Sequence, residues 1–431
     1  MGSDSSLPTS LAGWLQYIEA LHPKSIVLDL DRVSEVKNRL DLDPDFPLII
    51  VGGTNGKGST CAMLESIYHQ AGYRVACYSS PHILRYNERV RISAKEVSDD
   101  MLETAFAAVE AARQQTPLTY FEFGTLAAIW CFIQQKVELA ILEVGLGGRL
   151  DAVNMFEPDC TIVTTVDIDH IDFLGNSRES IGFEKAGIFR PNIPAICGDQ
   201  SPPHTLTDRA FAIDADLRVL GRDFSARTYG DGWDFAGTKV IENLPLPALK
   251  GGFQLGNAAC ALAAIEAMQT LLPINDDDIV SGLNAVSLAG RFQIVRTDPQ
   301  VILDVTHNPH AAIALAENLH QTKVTGKTIA VFAMLADKDV SGVITALIPE
   351  IDTWYLSSVD HVRAASVAQL IDIFNKIDKV KKILSFDTLA EAFKQACLDA
   401  GKNDRIVVFG SFFTVAEVMQ IMPLVASNFT S

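Results

Sequence analysis

The chain is 431 residues long, 48% hydrophobic and 20% charged, which is more than one hydrophobic core serves and excludes a largely disordered polymer. Its formal net charge of -18 excludes broad adhesion to nucleic acid or to an anionic membrane, so an anionic substrate must be met by a local cluster of Lys and Arg. Seven scattered cysteines without a CxxC pair indicate neither a disulfide framework nor a zinc site; with no signal peptide and no apolar run of membrane-spanning length, the cytoplasm is the expected compartment, and a monomer is the expected state.

Two short patterns at the ends, the myristoylation-like Met1–Ser6 and the glycosylation-like Asn428–Thr430, recur by chance and do not change that expectation. Apolar runs that pass into small or polar loops and then into helix-patterned stretches predict βα units and a parallel sheet. Strands are predicted at Leu48–Val51, Arg74–Tyr78, Leu139–Glu143 and Cys160–Val166. Helices are predicted over Ser59–Gln70, Asp99–Gln114, Phe121–Gln135 and Ser177–Phe189.

Residues 217–250, with Gly230, Gly232, Trp233 and Gly237 among polar neighbours, predict a small irregular or antiparallel addition. An Ala-rich helix follows over Leu255–Leu272 and is ended by Pro273. The alternation restarts with strands at Val301–Asp304, Thr328–Phe332, Thr353–Leu356 and Arg405–Phe409. The expected organisation is an α/β domain over 1–295, built on a phosphate loop and a mostly parallel sheet, and a smaller Rossmann-like α/β domain over 296–431.

The strand Leu48–Val51 runs into Gly52-Gly53-Thr54-Asn55-Gly56-Lys57-Gly58-Ser59-Thr60 and then into a helical pattern, the setting that a phosphate loop requires. Glycines let backbone N–H groups turn toward phosphate oxygens, the helix start adds a positive dipole end, and Lys57 supplies a mobile cation. Gly58 separates Lys57 from Ser59, so the spacing departs from GxxxxGK[ST] and disfavours an ordinary kinase or GTPase. A plain glycine turn is the bland alternative. Two other patterns are set aside: Asn375-Lys376-Ile377-Asp378 continues a helical stretch where a guanine-reading loop would end a strand, and Gly145-Leu146-Gly147-Gly148 opens no obvious helix.

Ligands of open parallel sheets sit beyond the carboxyl ends of the strands. There the sequence places Ser79-Ser80-Pro81-His82, Glu143 and Asp167-Ile168-Asp169-His170. Glu143, directly after an apolar strand, is the strongest candidate for a hard cation, with the hydroxyl of Ser80 as a second oxygen. His170 is an unusual partner for such an ion. Arg85, Arg89, Arg91, Arg149 and Lys185 lie on or near these loops and are the candidates for a local positive field, against the plainer reading of solvated surface residues.

The segments Gly53–Ser59, Ser79–His82, Leu142–Ala152 and Asp304–His310, in this order, closely resemble the bacterial dihydrofolate synthase/folylpolyglutamate synthase family, relatives of the Mur ligases. The resemblance implies an ATP-dependent ligase that joins L-glutamate to dihydropteroate and to the glutamyl chain of reduced folates through an acyl phosphate. It assigns ATP to Asn55, Gly56, Lys57, Gly58, Ser59, Asn257, Arg291 and Asp304. Two Mg²⁺ ions fall to Ser80, Glu143, His170 and a carbamylated Lys185.

By the same resemblance the pterin lies against Asp29, Leu30, Asp31 and Arg32, against Thr119, Tyr120, Phe121 and Glu122, and against Leu150, Asp151 and Ala152. Lys57, Lys185 and His307 are implied in catalysis, and His307 and Ser411 in the glutamate side of a cleft to which the C-terminal domain contributes. For Ser411 a strand-to-helix cap is the competing reading. The alternatives are a Mur-type ligase acting on a cell-wall precursor and, in another class, a P-loop kinase or a nucleotide-gated binding module.

Overall fold

The structure, a computed structural model, describes residues 7–24, 26–377 and 382–426. The two terminal patterns and Asp378 of the Asn375–Asp378 tetrapeptide lie outside the described residues. The chain separates into two compact units, Met1–Ala248 with Leu255–Val286, and Leu249–Gln254 with Ser287–Ser431.

In the first unit the strands β1 (Leu48–Gly52), β2 (Val75–Tyr78), β3 (Val90–Ile92), β4 (Lys95–Glu96), β5 (Leu139–Glu143), β6 (Cys160–Val163), β7 (Pro194–Cys197) and β8 (Asp216–Val219) form one sheet. Its order is β4-β3-β2-β5-β1-β6-β7-β8. The pairs from β2 through to β8 are parallel, and the β2–β3 and β3–β4 pairs at one edge are antiparallel. Every residue of β1 and β5 is buried, because helices cover both faces of a parallel sheet and the strands read as unbroken apolar runs. The helix Tyr120–Gln134 is apolar almost all round and correspondingly buried, and it starts at a capping box between Thr119 and Glu122.

The composition shift in the 217–250 region resolves into an antiparallel three-stranded sheet of β9 (Ser225–Tyr229), β10 (Gly232–Ala236) and β11 (Val240–Pro245), with β10 in the middle. Trp233 and Phe235 alternate onto one face of β10 and are buried. The long helix follows over Phe253–Met268.

The second unit is built on β12 (Gln293–Thr297), β13 (Gln300–Asp304), β14 (Thr328–Phe332), β15 (Thr353–Leu356), β16 (Ile383–Ser385) and β17 (Arg405–Phe409), in the order β12-β13-β17-β14-β15-β16. Only β12 pairs antiparallel. Phe332, Trp354, Phe374 and Phe409 meet mostly edge to face at its core. Asn375 and Lys376 form the exposed end of the helix Val367–Lys376, as their helical pattern predicted.

Three segments depart from their predicted extents by three residues or more, the first being the Ala-rich helix, which stops at Met268 and not at Leu272 before Pro273. β6 stops at Val163 and not at Val166, because Thr164, Thr165 and Asp167 bond to Thr54 and Asn55 of the phosphate loop while Val166 bonds to Asp199 and Arg178. The helix predicted to reach Phe189 is α-helical only over Arg178–Lys185 and tightens into a 3₁₀ turn at Ala186–Ile188. No helix among the described residues is long and apolar enough to cross a membrane. All seven cysteines are buried and none is in a disulfide.

Candidate active site

β1 is central in its sheet, so the loop that leaves its carboxyl end emerges between β5 and β6. The loop is tied down on the β6 side. Thr54 N–H donates to the Thr165 carbonyl (2.8 Å) and Asn55 N–H to the Thr165 hydroxyl (3.1 Å). The Thr164 hydroxyl donates to the Asn55 carbonyl (2.6 Å), and Thr54 and Asp167 exchange two bonds of 3.0 Å.

Gly53 and Gly56 have φ of +141° and +89°, a region L side chains avoid, and a Cβ there would meet Thr164 Oγ1 at 1.9 Å and Asn257 Oδ1 at 2.3 Å. The helix Lys57–Gln70 begins directly after Gly56 with no side-chain cap. Its first turn thus presents amides and a positive dipole end, the chemistry of an anion cradle. Lys57 arches back over the loop, its ammonium 3.1 Å from the Gly53 carbonyl and 3.3 Å from that of Thr54. Asn55, Gly56, Lys57, Gly58, Ser59 and Asn257 are therefore gathered at one place.

Glu143 stands opposite Val51 in the parallel register of β1 and β5, so its carboxylate lies beside the root of the loop. It is buried and accepts the Ser80 N–H at 3.0 Å, which joins the ends of β2 and β5. His170 begins the short helix Ile171–Leu174 in a left-handed conformation, its side chain 41% exposed and Nε2 4.0 Å from Asp169. Among the described residues no three His, Cys, Asp or Glu side chains converge as a metal cluster.

Lys185 is fully enclosed, and burial, followed by the repulsion of Lys57, lowers its ammonium to about 7 against the attraction of Asp169 and Asp151. Asp151 is raised to about 7 by burial, against the pull of the amides of Leu146 and Val153 and of Lys57. Lys57, Asp151, Asp169 and Lys185 thus share one electrostatic neighbourhood. The sequence placed Asp151 only on the pterin side and Asp169 only among the strand-end ligand candidates; their proximity to Lys185 leaves no signal in linear spacing.

The expected positive field is corrected by the carboxylates nearby. Arg85 pairs with Asp99 (3.0 Å), the half-buried Arg91 with Glu65 (2.8 Å) and Arg149 with Glu184 (2.9 Å). Arg89 and Lys185 are the members of that group left outside such pairs.

Two of the predicted pterin segments meet at a buried ion pair. The Arg32 guanidinium grips both Glu122 oxygens (2.6 and 2.9 Å), lies 3.6 Å from Asp29, and donates to the Val27 carbonyl. Glu122 also accepts the Thr119 N–H at 2.8 Å. Leu30 and Asp31 open the helix that carries Arg32. Phe121 packs so closely on Gly145 that a Cβ there would lie 2.7 Å from its ring, which brings the glycine run leading to Leu150, Asp151 and Ala152 alongside. Glu122→Gln keeps the shape but removes the charge facing Arg32, and should destabilise the first unit by about 1–3 kcal/mol. An unchanged midpoint of its urea transition would show that the pair contributes nothing.

In the second unit Asp304, at the end of β13, is buried and its carboxyl is raised by that burial. It accepts the Phe292 N–H (2.8 Å) and the Thr306 hydroxyl (2.6 Å), while Arg291 lies over the Phe412 ring at 5.2 Å. His307 Nδ1 bonds the Val305 carbonyl, which leaves Nε2 as its other polar edge. Ser411 is buried, and its hydroxyl accepts the Thr414 N–H (3.0 Å) at the start of the helix Phe412–Ala426, the geometry of a cap.

The model of the Mur ligase middle domain matches residues 51–196, and that of the Mur ligase glutamate ligase domain matches residues 290–412. The chain is 44% identical over 414 residues to the dihydrofolate synthase/folylpolyglutamate synthase of Escherichia coli (strain K12), covering 96% of this chain and 95% of that one. Its fold is similar to that of E. coli FolC in complex with DHPP and ADP, with a TM-score of 0.92, 43% identity, and 97% and 99% of the two chains covered. A bifunctional folylpolyglutamate synthase/dihydrofolate synthase with Mn, AMPPNP and L-glutamate bound matches with a TM-score of 0.89 at 43% identity, covering 97% and 100%. With likenesses that span nearly the whole of both partners, the chain belongs to the dihydrofolate synthase/folylpolyglutamate synthase family of Mur ligases.

Proposed function

We propose that this protein is an ATP-dependent carboxylate-amine ligase that joins L-glutamate to dihydropteroate, giving dihydrofolate, and to the glutamyl chain of reduced folates. The observation that carries the reading is the braced phosphate loop with Glu143 at its root and Lys57 over its glycines. The relatives' complexes with adenine nucleotides, DHPP and glutamate support the same chemistry.

A carboxylate resists attack by an amine until one oxygen becomes a leaving group. The acceptor's carboxylate attacks the γ-phosphate of ATP and expels ADP, and the resulting acyl phosphate is opened by the glutamate amine, which loses a proton to solvent as phosphate leaves. The protein contributes alignment and charge neutralisation more than covalent chemistry. The amides of Asn55 to Ser59 and the Lys57 ammonium hold the triphosphate, with Asn257, Arg291 and Asp304 as further nucleotide contacts. His307 and Ser411 serve the glutamate side, and the residues around the Arg32–Glu122 pair hold the pterin.

A divalent cation, when bound, spreads the negative charge of the transferring phosphoryl group. Ser80, Glu143 and His170 would hold one Mg²⁺, and a carbamate on Lys185 a second. The residues fit: hard oxygens at adjoining strand ends, and a buried lysine whose neutral amine is available near pH 7 to take up carbon dioxide. Incubating the protein with MgATP, L-glutamate and either dihydropteroate or tetrahydrofolate should add one glutamyl mass to each acceptor, with phosphate release strictly dependent on glutamate. Phosphate release without glutamate, or unchanged acceptor masses, would refute the assignment.

A further inference from the structure

Arg89, at the start of the edge of the first sheet, is a half-buried cation with an unusual set of neighbours. Its guanidinium lies 5.4 Å from the centre of the Tyr86 ring and 5.5 Å from that of Tyr120. Its Nε donates to His82 Nδ1 at 2.8 Å. Glu88, the adjacent carboxylate, instead accepts the amides of Ile83, Leu84 and Arg85. Among the described residues no carboxylate pairs with Arg89, in a molecule of net charge -18 whose other arginines on these loops are paired.

The bond to Nδ1 has a further consequence. An arginine only donates, so Nδ1 is an acceptor and the imidazole proton sits on Nε2. His82 and Arg89 thus present N–H groups together, steadied by two aromatic faces that favour a cation but satisfy none of its hydrogen bonds. This is the donor set for a carboxylate.

Position narrows which carboxylate. Arg89 stacks on Tyr120, and the neighbouring Phe121 contacts Tyr78 and Gly145, so the cation belongs to the wall assigned to the acceptor. On its other side Ser79 N–H donates to the Arg89 carbonyl, one residue before Ser80. Dihydropteroate has a single carboxylate, which must lie at the phosphate to react. A glutamylated folate has a second one, on the α-carbon, that does not react and needs a partner.

We propose that Arg89, with His82, is a specificity-determining site that binds the non-reacting α-carboxylate of glutamylated acceptors. The inference rests on the ligase reading above. Three acceptors test it: dihydropteroate, tetrahydrofolate, and tetrahydrofolate with its α-carboxylate converted to the carboxamide, each with wild type, Arg89→Gln and Arg89→Lys.

In the wild type the carboxamide should lose about 10- to 100-fold in kcat/KM against the acid, mostly through KM. Arg89→Gln should lose a similar factor with the acid, use acid and carboxamide alike, and retain its rate with dihydropteroate. Arg89→Lys should recover part of the loss. A wild type that accepts the carboxamide as readily as the acid overturns the site, as does a variant that loses rate equally with dihydropteroate. A rise in the KM of the incoming glutamate alone would also overturn it. A wild type inactive with every acceptor would refute the ligase reading and this site with it, whereas the outcomes above overturn the site alone.

Discussion

Lys57→Ala is expected to lower turnover by about 10²- to 10³-fold, the usual cost of removing one donor from a preorganised anion site. The side chain already rests on the Gly53 and Thr54 carbonyls, so it is positioned over the cradle before any phosphate arrives. The loss should fall on kcat and on kcat/KM together, since a charge on the transferring phosphoryl group matters most in the transition state. Removing the ammonium also removes that brace, and Lys57→Arg separates the two roles by keeping the charge while altering its reach. Near-normal phosphate release from Lys57→Ala would remove the assigned role, provided circular dichroism shows an intact fold.

A comparable loss, about 10²- to 10³-fold, is expected for Lys185→Ala, with partial recovery when acetate or propionate is added. Burial lowers the Lys185 ammonium to about 7, and Lys57 adds repulsion, so the free amine is the minor form below that pH and the major one above it. Only the free amine attacks carbon dioxide. Wild-type activity should therefore depend on dissolved carbon dioxide, and reactivation of depleted enzyme should speed up as pH rises through about 7. Undiminished wild-type turnover after exhaustive carbon dioxide removal would dispose of the carbamate.

The α/β character, the two α/β portions with a small addition between them, and the strand–loop–helix unit were legible from linear patterns because buried parallel strands are continuous apolar runs. The glycine spacing of the loop and the carboxylate that ends β5 were equally visible, since both follow from adjacency in sequence. The resemblance supplied residues whose partners lie far away along the chain, such as Asn257 against Gly56.

What stayed hidden depends on contacts between segments. Arg85, Arg91 and Arg149 look alike as loop cations, yet their charge is neutralised by Asp99, Glu65 and Glu184. The early stop of β6 has the same origin, because nothing in Thr164-Thr165-Val166-Asp167 announces that its bonding groups turn toward Thr54 and Asn55.

That fastening links two functions along one short piece of chain. Two and three residues beyond Asp167 come Asp169 and His170, so the segment clasping the proposed nucleotide cradle continues straight into a proposed ligand of the cation. Ordering at either end restricts the other, and thermodynamic reciprocity then requires nucleotide to tighten cation affinity by the same factor as cation tightens nucleotide affinity. Calorimetric titrations in both orders would reveal that shared factor, and fully independent affinities would show the clasp to be mute.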